Sequence, residues 1–317
     1  MAEQGARPHV AVIGAGGLGS YVGAVLARAG HEVDLIARGE HAEALRTRGL
    51  EVRAPDETFM TRPGCRAPGD ETVTADVVFV AVKAYSLAEV APVILSVARG
   101  GGLVVPLLNG VDVGERLAAA GVPPENIVDG VAYLTAFRVG PGVIERKGMH
   151  QRIVVGSSTG QGAGRSDEVR NLFKNTAVEV SIAEDIRVEL WLKMAVVCSL
   201  AVICGLTGSA VGSIRRHAFG SDLQARAISE VLQVGRGSGV PLGTDAEAWV
   251  GATLDSFPAD FYPSVLHDLR SGRRTEMDAL AGTVARLGRS VGIETPLCDA
   301  ATCAVALMEA RKQRGPE

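Results

Sequence analysis

The amino-acid sequence predicts an α/β protein in which an N-terminal doubly wound parallel sheet, residues 1–185, is followed by an all-helical C-terminal domain, residues 186–317. Three observations carry this expectation. From about residue 9 to 180, short β-branched runs alternate with helical stretches, as βαβ units on a parallel sheet require. A glycine-rich turn follows the first of those runs directly. After SIAEDI at 181–186 the strand signals stop, and apolar residues recur at intervals of three and four.

The predicted elements begin with the strand HVAVIG at 9–14 and a helix over 18–29, then the strand EVDLIA at 32–37 and a helix over 40–48. Further strands are predicted over 76–82 and 103–107, each beside a helical segment. Between 127 and 156, the runs YLTAF, GVIER and RIVVG are separated by Gly and Pro turns, which suits antiparallel pairing and predicts a mixed edge to the sheet. In the helical part, Met277, Leu280, Val284, Leu287 and Val291 mark one buried face. The segment 160–165 (GQGAGR) reads as a flexible surface loop and the final RKQRGPE as a frayed tail.

Composition bounds the function. A chain of 317 residues with 47% apolar content can bury two cores. Its net charge of −4, with Lys and Arg scattered throughout, forms no basic stripe of the kind nucleic acid requires. The five cysteines (65, 198, 204, 298, 303) form no CxxC pair and the six histidines show no ligand spacing, so neither a disulfide framework nor a metal site is expected. The N-terminus MAEQGARPHV lacks a signal-peptide pattern, and a cytoplasmic location follows as the expectation. The longest apolar stretch, 190–206, is short for a bilayer and is interrupted by Lys193, so it reads as a buried helix.

Gly14-Ala15-Gly16-Gly17-Leu18-Gly19 matches G-x-G-x-x-G between a strand and a helix, the context that makes it a dinucleotide site on a Rossmann-type sheet. Gly14 permits the tight turn, Gly16 lets backbone approach the pyrophosphate, and Gly19 lets the helix pack on the strand. NAD-binding sheets place an acid at the end of the second strand to hold the ribose hydroxyls. Here that strand ends at Ala37, followed by Arg38, and Asp34 lies too early. Arg38 can pair a 2′-phosphate through its planar fork, so NADP is expected, with Arg46 or Arg48 as alternatives for the phosphate.

Lys193 is the single formal charge in 190–206. Desolvation lowers a lysine pKa and readies its proton for transfer, whereas a snorkelling lysine reaches water from the helix surface. Lys83 follows the strand VVFVAV, and Asn109-Gly110 follows LVVPLL. Both sit at the carboxyl ends of strands, where ligands bind in open α/β sheets.

Taken in order, GAGGLG, VAVKAY, LLNGV, ELWLKMAV and RTEMD resemble the ketopantoate reductase family over nearly the whole chain. The resemblance implies a Rossmann domain joined to a helical domain, an active site in the cleft between them, and NADPH-dependent reduction of 2-dehydropantoate to pantoate in pantothenate biosynthesis. It implies that Lys193 is the catalytic proton donor and that Glu276 contacts the cofactor and orders the site. Lys83, Asn109 and the backbone of Ala136 would line the cofactor, while Asn109, Lys193 and Ser264 would bind substrate. On residue pattern alone, Ser264 after Pro263 is a helix cap and Glu276 a first-turn acid. A homodimer through the helical domain is compatible with the sequence.

Two positions depart from the family. Its lysine is followed four and eight residues on by asparagines that contact substrate, whereas this chain has Val197 and Ala201. The expectation therefore moves to a 2-keto acid with a more apolar tail, unless Ser199, Thr207 or Ser209 replaces the missing amides. One alternative function is a D-2-hydroxyacid dehydrogenase for branched or aromatic 2-keto acids. The other is a protein that senses NADP without turnover.

Overall fold

The computed structural model describes residues 7–70 and 73–314. The chain divides into two compact units, one running to Leu108 and including Asp112–Ile186, the other made of Asn109–Val111 and the residues from Arg187 on.

The first unit opens with β1 (His9–Ile13), α1 (Gly17–Arg28), β2 (Glu32–Ile36) and α2 (Gly39–Thr47). Three short strands follow, β3 (Leu50–Arg53), β4 (Thr58–Thr61) and β5 (Gly64–Arg66), then β6 (Val77–Val80), α3 (Leu87–Arg99), β7 (Leu103–Pro106) and α4 (Val113–Ala119). It closes with β8 (Asp129–Gly140), β9 (Val143–Gly156), α5 (Ser166–Leu172) and β10 (Glu179–Ile182). One sheet is wholly parallel in the order β5-β2-β1-β6-β7. Every residue of β6 (VVFV) and β7 (LVVP) is buried, as a parallel sheet covered on both faces demands. Pro106, which cannot donate to a ladder, lies on an edge strand.

The mixed edge expected from 127–156 is instead a second five-stranded sheet, ordered β10-β9-β3-β4 with β8 also paired to β9. The antiparallel β8–β9 pair is its spine, while β3 and β10 run parallel to β9. Such a spine offers β9 no free edge for the first sheet. The three strands within 50–66 escape sequence reading because they are three or four residues long and interspersed with Pro, Gly and charge. Arg146 on β9, only 1% exposed, locks the second sheet by bonding Asp56 in the β3–β4 connection and the Gly148 carbonyl. The segment 160–165 is anchored rather than loose, since Arg165 donates to the Gly101 carbonyl at 3.1 Å and to Asn126 at 3.3 Å.

The second unit comprises α6 (Ile186–Thr207) from its second residue on, α7 (Val211–Arg216), α8 (Gly220–Gly237), α9 (Ala246–Asp255), α10 (Ser264–Arg270), a π-helical turn at Asp278–Gly282, α11 (Thr283–Val291) and α12 (Pro296–Arg314). Its core gathers Trp191, Met194, Cys198 and Val202 of α6 against Val231, Val250, Leu280 and Val305. The helix α6 is 22 residues long and its most apolar 18-residue stretch has a mean hydropathy of 2.0, so by length and composition it could cross a bilayer, correcting the shorter span read from 190–206. Two thirds of that stretch, 67%, is nevertheless buried inside the protein, which makes α6 a core helix. Of the expected frayed tail, residues 311–314 continue α12 and 315–317 lie outside the described residues.

Candidate active site

The glycine turn forms where β1 meets α1. Gly14 has φ of +100°, and its N-terminal neighbour Ile13 is strand. A Cβ on Gly14 would fall 2.6 Å from the Ala81 carbonyl and 2.7 Å from the Val82 nitrogen, so the turn seats directly on the end of β6, beside the approach to Lys83. A Cβ on Gly19 would meet the Gly14 carbonyl oxygen at 2.2 Å, which lets α1 start flush against the turn. Gly17 presses on β8, where a Cβ would lie 1.9 Å from the Ala136 oxygen. Ala136, expected only from family resemblance, is thereby brought to the glycine turn.

Gly16 differs from its neighbours. It is exposed, and a Cβ there would meet nothing within 4 Å. As the N-cap of α1 it offers no capping side chain, and the first turn carries no acid. Orphan N–H groups and the positive end of the helix dipole are thus left for an external anion, with open space in front of them. Ala15 is buried and Leu18 half-buried behind this face. The cradle fits a dinucleotide pyrophosphate.

At the end of β2, Ala37 is buried and Arg38 is the N-cap of α2, its side chain 78% exposed and 3.6 Å from Glu89. Asp34 is committed within the strand, bonded to His9 at 3.2 Å and to Arg66 at 2.5 Å. Of the two alternatives, Arg48 reaches the Pro141 carbonyl at 3.4 Å, and the charge of Arg46 offsets part of the rise that desolvation gives the half-buried Cys65 thiol. Lys83 is half-buried and is the N-cap residue of the short 3-10 turn Ala84–Ser86. Asn109 is half-buried at the head of Asn109–Val111, whose Val111 packs on the helical core.

In the helical unit, Lys193 keeps part of its surface, yet it sits so deep among apolar neighbours that burial pushes its pKa down to about 8 from 10.5. The Glu276 carboxylate opposes part of that fall. Glu276 is itself buried at 5% exposure, just ahead of the π-helical turn, and its carbonyl accepts from the Leu280 N–H at 3.0 Å. Rare π-turns of this kind recur at functional sites because they shift the helix register locally. A depressed lysine facing a buried glutamate can hold a proton and release it near neutral pH. Ser264 is exposed on the first turn of α10, where the N-cap is Pro263 and no side chain caps the helix, so the capping role does not apply.

The two departures from the family separate here. Val197 is half-buried, one turn along α6 from Lys193, while Ala201 is 0% exposed within the helical core. Of the two, Val197 alone keeps exposed surface. The hydroxyls that could compensate are otherwise engaged or turned away: Thr207 donates to the Ile203 carbonyl at 2.7 Å, Ser209 to the Thr207 carbonyl at 3.2 Å, and Ser199 is 0% exposed on the far side of α6 from Val197. Residue pattern assigns Thr275 no role, yet its hydroxyl accepts the Met277 N–H at 3.2 Å and so shapes the backbone around Glu276.

Comparisons with known proteins agree with this architecture. The family model described as ketopantoate reductase PanE/ApbA matches residues 10–160, and its C-terminal counterpart matches 185–309. A 2-dehydropantoate 2-reductase of Mesorhizobium japonicum is 30% identical, covering 92% of this chain and 94% of that protein. The solved PanE/ApbA family ketopantoate reductase of Ralstonia eutropha is 28% identical with a TM-score of 0.86, covering 96% of this chain and 99% of that one. D-mandelate dehydrogenase, solved with NADH and anilino(oxo)acetate, shares the fold at a TM-score of 0.87 and 22% identity, covering 96% and 99% of the two chains. With both of its halves matched and its length spanned, the chain belongs to the ketopantoate reductase family of oxidoreductases acting on CH–OH groups, and is similar to the 2-dehydropantoate 2-reductases.

Proposed function

We propose that the protein is a cytoplasmic reductase that converts a 2-keto acid to the 2-hydroxy acid with NADPH. The observation that carries this reading is Lys193, held near a pKa of 8 by burial and faced by Glu276. A bound reduced nicotinamide supplies the hydride to the keto carbon. Lys193 gives its proton to the carbonyl oxygen as that bond is reduced, and Glu276 keeps the ammonium charged until then. Asn109 and Ser264 take the substrate carboxylate. The open face at Gly16 takes the pyrophosphate, Arg38 the 2′-phosphate, and Lys83 with the Ala136 backbone the rest of the cofactor.

NADPH is expected to bind more tightly than NADH, because Ala37 and Arg38 stand where NAD requires an acid. Replacing the exposed Arg38 with Ala should erode the preference by about tenfold, the low end for a charged hydrogen bond. Fluorescence titration with both cofactors decides this, and equal affinity for the two would sink the assignment. The comparison has point, since D-mandelate dehydrogenase of the same fold was solved with NADH.

Val197 favours a second reading within the same chemistry, a D-2-hydroxyacid dehydrogenase for branched or aromatic 2-keto acids. An apolar wall leaves the hydroxyl of ketopantoate without a partner, at a cost of about 1–3 kcal/mol. We expect 2-ketoisovalerate, 2-ketoisocaproate or phenylglyoxylate to exceed ketopantoate in kcat/KM by roughly tenfold or more with NADPH. A wide margin for ketopantoate would restore the reduction of 2-dehydropantoate to pantoate as the activity. Binding of NADPH without turnover of any of the four would instead support an NADP sensor.

A further inference from the structure

Glu276 reaches its position through a short connection, residues 271–277, between α10 and the π-helical turn. One face of α12 holds that connection at both ends. Lys312 Nζ donates to the Leu269 carbonyl, where α10 is closing. Three residues earlier, and so on the same side of α12, Glu309 Oε1 accepts the Thr275 N–H at 2.8 Å.

Between these two points the backbone has little freedom. Gly272 takes a positive φ of +67°, and the Arg273 guanidinium closes back on buried Asp268 at 2.8 and 2.9 Å. Thr275, 5% exposed, fixes the Met277 N–H through its hydroxyl. Both neighbours of Glu276 are therefore pinned, Thr275 by Glu309 and Met277 by Thr275. A carboxylate accepting an N–H makes a short, charge-assisted bond, stronger than a neutral one.

We propose that Glu309 is a positioning residue: by holding the Thr275 N–H, its carboxylate sets where Glu276 lies against Lys193. The inference rests on Lys193 and Glu276 being the reacting pair. Glu309 acts through the backbone of Thr275. Catalytic groups are sensitive to such placement, because a shift on the order of 1 Å costs about 10²-fold in rate.

The test compares Glu309→Leu, Glu309→Gln, Glu276→Gln and the double variant Glu276→Gln/Glu309→Leu, all as full-length protein with NADPH and the best 2-keto acid. Glu309→Leu is expected to lower kcat by roughly tenfold while NADPH affinity and KM stay within about twofold. Glu309→Gln keeps an acceptor oxygen and should recover most of that loss. In the Glu276→Gln background, Glu309→Leu should have no further effect, since residues acting through one another are not additive. An equal loss in both backgrounds, or no loss in the native one, overturns the role of Glu309 and leaves the reading of the site standing. Native turnover in Glu276→Gln overturns both. Should Glu309→Leu fail to fold, Lys312→Met releases the other end of the same clamp. A kcat loss there that vanishes in the Glu276→Gln background supports the proposal, and an additive loss overturns it.

Discussion

Lys193→Ala is expected to lower turnover by about 10²- to 10⁴-fold while NADPH affinity stays nearly native, the usual consequence of deleting a general acid. Steady-state kinetics beside a fluorescence titration separate the two effects. In the native protein the donor must be protonated, so kcat/KM should decline as pH rises through about 8, the depressed pKa of this lysine. The sign for stability follows from the same shift. Between about 8 and 10.5 the unfolded chain binds more protons at this position than the folded one, so stability contributed by Lys193 rises with pH across that window. Below about 8 the cost of burying the ammonium is fully present. Lys193→Met should therefore fold more stably at neutral pH, by on the order of 1–3 kcal/mol, while losing activity. A variant with near-native turnover and unchanged stability would show that this lysine does no more than reach water from its helix.

Gly17→Ala and Gly16→Ala, adjacent in sequence, should fail in opposite ways. At Gly17 the new Cβ would lie 1.9 Å from the Ala136 oxygen, a backbone atom that cannot rotate aside. Either α1 or β8 must shift, and a loss of on the order of 3 kcal/mol is expected in urea denaturation. At Gly16 the backbone has φ of −79°, which alanine adopts freely, and the Cβ would meet nothing within 4 Å. Stability should change by no more than about 0.5 kcal/mol. The same methyl would stand where a pyrophosphate must approach, so NADPH affinity should fall by roughly 10- to 100-fold. Loss of stability in Gly16→Ala, or unaltered cofactor binding, would contradict the assignment of this face.

What the sequence made legible is what local pattern determines. The strands β1, β2, β6 and β7 were readable because a parallel sheet covered on both faces needs continuous apolar runs. The strands β3 and β5 were not, because their pairing comes from β9 and β2 rather than from their own few residues, and β4 is held only as the antiparallel partner of β3. Lys193 stood out as one charge in an apolar helix. Glu276 did not, since its burial depends on how 271–277 is folded back, and the pattern alone made it an ordinary first-turn acid. Residue spacing gave Val197 and Ala201 equal weight, and only packing shows that Ala201 belongs to the core. Lys312 fell in a segment that composition marked as a frayed tail, whereas its bond to Leu269 ties that segment down.

The assignment of Asn109–Val111 to the helical unit means that the chain passes between the two units three times, after Leu108, after Val111 and after Ile186. A single covalent joint would let a modular exchange be made by cutting once, but here the boundary is stitched. A fragment starting at Arg187 would lack Val111, which packs on its core, as well as Asn109. Chimaeras that import a relative's helical half to change substrate range must therefore carry its 109–111 equivalent inside the recipient's sheet domain. For the same reason, this tripeptide and the residues of α6 should be varied together in any library that seeks new specificity, since a recombination point between them separates parts of one unit.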